Sequence, residues 1–144
     1  MDILVRQPTT ADAPALSGLL GELGYPAPAA EIPQRLAALA HSGAVVYVAE
    51  VDGQVAGVIT GHALHTINST PRQAQLTALV VGEHARGRGV GRRLVQEIEQ
   101  WAIARGAARI TLTSALHRAE AHAFYEGLGY AKSGVRLAKE LRPA

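Results

Sequence analysis

The feature that most constrains this chain is a glycine- and arginine-rich turn between an apolar run and an amphipathic helix. It occupies residues 79–93, with the sequence LVVGEHARGRGVGRR. The first amides of a helix lack partners within the helix, and the helix dipole favours an anion at that end. Glycines let a ligand approach the backbone, and arginines add charge-assisted hydrogen bonds. The pattern predicts a phosphate or pyrophosphate cradle, and the alternative is a solvated turn that only caps the helix.

Two common phosphate-binding motifs do not fit this turn. The P-loop motif GxxxxGK[ST] requires a lysine, which the turn lacks. The dinucleotide fingerprint GxGxxG requires a third glycine, but Arg92 stands where that glycine would follow Gly87 and Gly89. The predicted cradle is therefore neither of these two nucleotide sites.

The rest of the sequence predicts helices and strands in the order β α α β β β α β α β. Asp52-Gly53 has the composition of a tight hairpin turn, and residues 65–73 are polar enough to predict a loop. The predicted strands span residues 3–5, 45–51, 54–62, 74–81, 109–113 and 131–141. The predicted helices begin near Thr9, Glu31, Gly89 and Ala119. This order predicts an α+β fold, a mixed and mostly antiparallel sheet with a central βαβ unit, in one domain of residues 1–144.

Composition narrows the function. The chain has 144 residues, no cysteine and a net charge of +2, which excludes a disulfide scaffold, a thiolate zinc site and a cysteine nucleophile. Half of its 14 basic residues are arginines within residues 86–118, so a local anionic ligand is favoured over a nucleic-acid coat. No targeting or membrane-spanning segment is apparent, and we expect a cytoplasmic protein that binds neither nucleic acid nor membrane.

Two sequence blocks resemble the GNAT family of N-acetyltransferases. Arg86-x-x-Gly89-x-Gly91 matches the family signature [QR]-x-x-G-x-[GA]. Residues 121–130, AHAFYEGLGY, are similar to the family segment A-x-x-[FL]-Y-x-x-x-G-[FY]. The predicted element order is also similar, so the resemblance covers nearly the whole chain and implies the GNAT fold.

The resemblance implies acetyl-CoA as donor and a primary amine as acceptor, joined by direct attack in a ternary complex. It implies that the end of the strand before the turn pairs with the acetyl group and pantetheine arm, and that the turn wraps the pyrophosphate. The implied donor-binding residues are Leu79, Val80, Val81, Arg86, Gly87, Arg88, Gly89, Val90, Gly91, Arg92 and Arg118. Tyr125 corresponds to the tyrosine that protonates the departing thiolate, a role that a phenol can fill; the alternative is an aromatic that only packs the last helix.

Two positions depart from the family pattern. Arg118 stands where many members have an asparagine near the cofactor, and Thr77 stands close to where many carry a glutamate that acts as base through water. A threonine cannot take the proton of an amine, so the general base stays open. The candidates are His62, His65, Glu22 and Glu50, or no dedicated base.

The acceptor is expected to be a small-molecule or peptide amine. We expect residues 23–28 and 62–72 to wall its pocket. No metal is expected, because His62 and His65 have no third ligand at a typical spacing. A homodimer is compatible with the resemblance. The alternative function is a non-catalytic acyl-CoA-binding or sensor module of the same fold.

Overall fold

Five strands form one mixed sheet whose spatial order follows the chain. A computed structural model describes residues 2–113 and 119–142. The strands are β1 (Ile3–Arg6), β2 (Ala44–Val51), β3 (Gln54–Thr66), β4 (Ser69–Val81) and β5 (Ala107–Leu112). The helices are α1 (Ala13–Leu23), α2 (Ile32–His41), α3 (Val90–Ala104) and α4 (Ala119–Gly127). Strands β1 to β4 are antiparallel to their neighbours, and β5 is parallel to β4. The predicted α+β class, with its β4–α3–β5 unit, is confirmed.

The chain divides into two units, Met1–Leu112 and Thr113–Ala144. The sheet and helices α1 to α3 make up the first unit, and α4 belongs to the second. That residues 1–144 form a single domain stays a prediction.

The turn between β2 and β3 is the one that its sequence predicts. Val51 pairs with Gln54, and both residues between them have positive φ, 53° at Asp52 and 78° at Gly53. Such a turn matches the right-handed twist of the two strands that it joins.

The prediction of a loop at residues 65–73 is wrong. Strand β3 runs on to Thr66 and β4 begins at Ser69, so only Ile67 and Asn68 form the turn. The polar sequence is misleading because both arms of this extended hairpin are largely exposed. Backbone pairing holds them together without a buried face, and therefore without the apolar alternation that would predict strands.

The prediction of a closing strand at residues 131–141 is also wrong, because the structure has no strand there. Its apolar residues Val135, Leu137 and Leu141 are exposed. Apolar spacing alone predicted this strand, but a strand also needs a neighbour that supplies hydrogen-bond partners.

The two faces of the sheet are covered by different helices. Helices α1 and α2 bury Leu16, Leu19 and Ile32 against Val58 and other valines of the sheet. Neighbouring residues along a strand point to opposite faces, so the two flanking glycines of β3, Gly57 and Gly61, face α3. A Cβ at Gly57 would lie 3.1 Å from Val90 Cγ1 and from Leu94 Cδ1. The first turn of α3 is therefore seated directly on β3, which fixes where that helix begins.

Candidate functional site

Strand β4 extends beyond the region in which it pairs with β5. The parallel register ends at Leu76 and Leu112, whereas β4 continues to Val81 and stays paired with β3 as far as Gly57. Within the described part of the chain, residues 77–81 therefore have no partner strand on the β5 side. Backbone groups left open in this way can bind an extended ligand as an additional strand would be bound.

A β-bulge lies at the point where β5 leaves. Thr60 pairs with Ala78 and Gly61 with Leu76, so Thr77 is an extra residue in β4. A bulge bends its strand and redirects the side chains around it. The hydroxyl oxygens of Thr60 and Thr77 lie 2.6 Å apart and share a hydrogen bond. This hydroxyl pair occupies the position where the family resemblance led us to look for a carboxylate base.

The glycine-rich turn follows β4 without interruption. Gly82 donates its N–H to the Ala56 carbonyl at 2.7 Å, and residues 83–85 make one 3-10 turn. Arg86 then folds back, and its Nε donates to the Val81 carbonyl at 3.2 Å. The strand end and the turn are thus held to each other by backbone acceptors.

Two glycines let the chain enter α3. Gly87 has φ 78° and Gly89 has φ 83°, a region that other residues rarely adopt. Gly89 is the N-cap of α3 and has no side chain with which to cap it. The first amides of α3 are therefore left for solvent or for a ligand, which is the arrangement that binds phosphate groups.

The structure brings the predicted donor residues from Leu79 to Arg92 together along this one segment. The side chains of Val80 and Val90 are buried, so these two residues can contact a ligand only through their backbone. Arg86, Arg88 and Arg92 are exposed and supply positive charge around the turn. Exposed arginines beside the start of a helix are an arrangement that can bind an anionic group such as a phosphate.

Two predicted residues remain, Arg118 and Tyr125. Arg118 falls outside the described residues. Tyr125 lies in α4 and is half-buried. Its ring packs edge-to-face on those of Phe124 and Tyr130, with centroid distances of 5.2 Å and 5.8 Å. Its role as a proton donor stays a prediction.

Three of the four base candidates are engaged in other contacts. Glu50 accepts from Arg6 Nε at 2.9 Å. His65 Nε2 accepts from Arg72 Nε at 3.2 Å. Glu22 Oε1 accepts the Glu83 backbone N–H at 2.9 Å. Sequence analysis missed this last contact, because the two residues are 61 positions apart and no local pattern connects them.

The fourth candidate, His62, lies two residues after Thr60 on β3 and is half-buried. Alternate residues of a strand share a face, so His62 lies on the side of the sheet that carries the Thr60–Thr77 hydroxyl pair. Of the two histidine candidates, it is the one closer along β3 to Thr60, which lies opposite the bulge of β4.

Neither a metal site nor a membrane span is found in the described part of the chain. No group of three or more histidine, aspartate or glutamate side chains there could hold a metal ion. None of the described helices has the length and apolar character needed to cross a membrane.

Comparison with known families identifies the family of the chain. A model of the acetyltransferase (GNAT) family matches residues 15–130, from α1 to the end of the Tyr125 block. The chain belongs to the GNAT acetyltransferase family. The resemblance that the two sequence blocks indicate is therefore confirmed.

Individual relatives agree with this assignment. N-acetyltransferase family 8 member 2 of Rattus norvegicus is 33% identical over 98 residues, which cover 66% of this chain and 43% of the relative. The chain thus spans less than half the length of the curated relatives that it matches. A solved acetyltransferase from Trypanosoma brucei has a TM-score of 0.85 at 21% identity, covering 97% of this chain and 100% of that one. Glucosamine-6-phosphate N-acetyltransferase from Arabidopsis thaliana has a TM-score of 0.84 at 18% identity, covering 99% and 100%. At these identities the two structures establish the fold.

Proposed function

We propose that this GNAT protein transfers the acetyl group of acetyl-CoA to a primary amine by direct attack in a ternary complex. The observation that carries the proposal is the open end of β4, residues 77–81, which leads without interruption into the glycine turn at the start of α3. An acyl-CoA has the matching shape, an amide-bearing arm that ends in a pyrophosphate. Acetyl-CoA supplies an acetyl group activated as a thioester.

The donor is held mainly by backbone in this proposal. Amides at the end of β4, around Leu79 and Val81, pair with the arm and donate to the carbonyl oxygen as negative charge develops there. Amides of Gly87 to Gly91 surround the pyrophosphate, and Arg88 and Arg92 add charge-assisted hydrogen bonds. Because the strand and the turn are hydrogen-bonded to each other, both ends of the donor are positioned by one continuous segment.

Two side chains handle protons. We assign Tyr125 to protonate the departing thiolate, as its place in the family segment implies. We assign His62 to take the proton that the amine must lose, because it shares a sheet face with the hydroxyl pair at the bulge and because histidine suits proton transfer near neutral pH. The bond formed joins the amine nitrogen to the acetyl carbon, and the bond broken is the thioester C–S bond.

The acceptor is a small-molecule or peptide amine. The net charge of +2 gives no strong steering towards a polycation or a polyanion. The alternative function is a non-catalytic acyl-CoA sensor, which would bind the donor without turnover.

A panel of primary amines with acetyl-CoA tests the proposal. The chain has no cysteine, so a thiol-reactive dye reports only released CoA. We expect release with at least one amine, and a kcat reduced by about 100-fold in Tyr125→Phe through loss of the proton donor. Tyr47→Phe is the matched control, because Tyr47 is also a half-buried tyrosine but lies in β2; its kcat should be unchanged. Donor binding without release by any amine, together with identical behaviour of the two variants, would favour the sensor.

A further inference from the structure

The turn that follows β4 is capped from a distant part of the chain. Glu83 is the first residue of its 3-10 turn, so its N–H has no partner within the turn. The preceding residue, Gly82, has no side chain that could serve as a cap. Glu22, in the last turn of α1, supplies the missing acceptor, with its Oε1 2.9 Å from the Glu83 nitrogen. A carboxylate is the strongest kind of acceptor for such an amide.

The same carboxylate also reaches the far end of this turn. Glu22 Oε1 lies 3.9 Å from the guanidinium of Arg86. Arg86 is itself tied to the end of β4, because its Nε donates to the Val81 carbonyl. Glu22 therefore contacts both the first residue of the turn and the arginine that opens the glycine loop. Its place in the structure differs from that of a general base, because its oxygen is engaged by the turn.

Glu22 also stands next to the segment predicted to wall the acceptor pocket. That segment is folded back onto α1, where the Tyr25 N–H donates to the Leu20 carbonyl at 2.9 Å and Ser17 Oγ donates to the Ala27 carbonyl at 2.6 Å. Ala27 is buried. Helix α1 and residues 24–28 are therefore held together, so a displacement of the end of α1 also displaces this loop.

We infer that Glu22 is a positioning residue that couples the donor cradle to the acceptor loop. It holds the 83–86 turn, and through Arg86 it orients the glycine loop that receives the pyrophosphate. It transmits donor binding to residues 24–28 through α1. The inference rests on the proposed function for its ligand. It assigns Glu22 no contact with the reacting atoms.

Calorimetric titration with acetyl-CoA tests the first half of this inference. We expect Glu22→Ala to raise the Kd about tenfold, which corresponds to the ~1.4 kcal/mol expected for one charge-assisted hydrogen bond at an exposed site. Glu22→Gln keeps an oxygen that can accept the Glu83 N–H but loses the charge, so we expect an increase of about threefold. Glu31→Ala is the matched control, because Glu31 is also exposed and paired with an arginine, Arg35, at 3.2 Å. It should bind like wild type.

Hydrogen exchange of the amides in residues 20–28 tests the coupling. The measurement is made at saturating acetyl-CoA, so that a weaker affinity of a variant does not by itself change the result. We expect saturation to slow exchange of these amides in wild type and in Glu31→Ala, but not in Glu22→Ala. Equal Kd values and equal protection in wild type and Glu22→Ala would overturn the inference and leave the proposed function standing. Failure of folded wild type to bind acetyl-CoA would overturn both.

Discussion

An ion-pair cluster joins β1, β2 and the start of α1, and its removal gives a sharp stability prediction. The Arg6 guanidinium donates to both oxygens of Asp12, at 2.8 Å and 2.9 Å, and to Glu50 at 2.9 Å. Asp12 also accepts the Thr9 N–H at 2.7 Å. The side chain of Asp12 is only 10% exposed. The Arg6 guanidinium holds the pKa of Asp12 below its ordinary value of 3.8, although burial opposes this effect.

The change Asp12→Ala should destabilise the protein by about 3 kcal/mol. Breaking a fully buried ion pair costs about 3–5 kcal/mol. Here Arg6 is 30% exposed and keeps Glu50, so we assign about 2 kcal/mol to the lost pair. Loss of the hydrogen bond from the Thr9 amide adds about 1 kcal/mol, the usual net value of one hydrogen bond. The exposed pair of Glu31 and Arg35 gives the contrast, since Glu31→Ala should cost no more than about 0.5 kcal/mol.

Urea unfolding of wild type, Asp12→Ala and Glu31→Ala measures these differences in the free energy of unfolding. In thermal unfolding, the Tm of Asp12→Ala should be about 10 °C below that of wild type. The folded-state pKa of Asp12 is depressed, so its contribution is present above the ordinary value of 3.8 and is lost as pH falls through the folded value. The gap between wild type and Asp12→Ala should therefore narrow as pH falls below 3.8. The assigned energetics would be refuted if the loss of stability in Asp12→Ala were within about 0.5 kcal/mol of the loss in Glu31→Ala. They would also be refuted if the stability difference between wild type and Asp12→Ala did not change in acid.

Further predictions concern two residues of β3, with a control residue in α1. Gly61→Ala should destabilise by about 1–3 kcal/mol in urea unfolding, because its Cβ would lie 2.9 Å from both Cγ1 and Cδ1 of the buried Ile98. Gly18 lies at an exposed position of α1, and an added Cβ there would have nothing within 4 Å. Gly18→Ala should therefore stabilise the protein by about 0.5–1 kcal/mol. If both substitutions changed the stability in the same direction, the described packing of Gly61 would be contradicted. His62→Gln should lower kcat by about 100-fold in the thiol-release assay through loss of a general base, with the Kd of acetyl-CoA unchanged. A kcat within twofold of wild type would remove His62 from the mechanism.

Local chemistry made part of the fold predictable from the sequence. The Asp52-Gly53 turn was predictable because the residues that tolerate positive φ stand where the turn needs them. The turn that leads into α3 was predictable for the same reason, since Gly87 and Gly89 supply its positive φ. The apolar residues of α3, which recur at helical spacing, predicted its buried face, and Val90, Leu94 and Ile98 are buried.

The features that the sequence did not predict either leave no apolar pattern or depend on residues distant in the sequence. The hairpin of β3 and β4 is exposed, so its pairing leaves no apolar pattern to read. The bulge at Thr77 depends on how β4 pairs with β3. The cap from Glu22 depends on the end of α1 arriving beside Glu83, and no motif of the turn encodes it.

The central claim, a pyrophosphate cradle at the start of α3, is tested most directly by titrating acetyl-CoA into wild type, Gly89→Glu and Gly106→Glu. The two glycines form a matched pair, because they flank the two ends of α3 and have φ of 83° and 82° with nothing within 4 Å of an added Cβ. Each variant therefore carries the same strain and the same new charge, but only Gly89→Glu places them at the helix N-terminus. The account predicts micromolar binding by wild type and by Gly106→Glu, and none by folded Gly89→Glu. Equal binding by the two variants, or no binding by folded wild type, would contradict it.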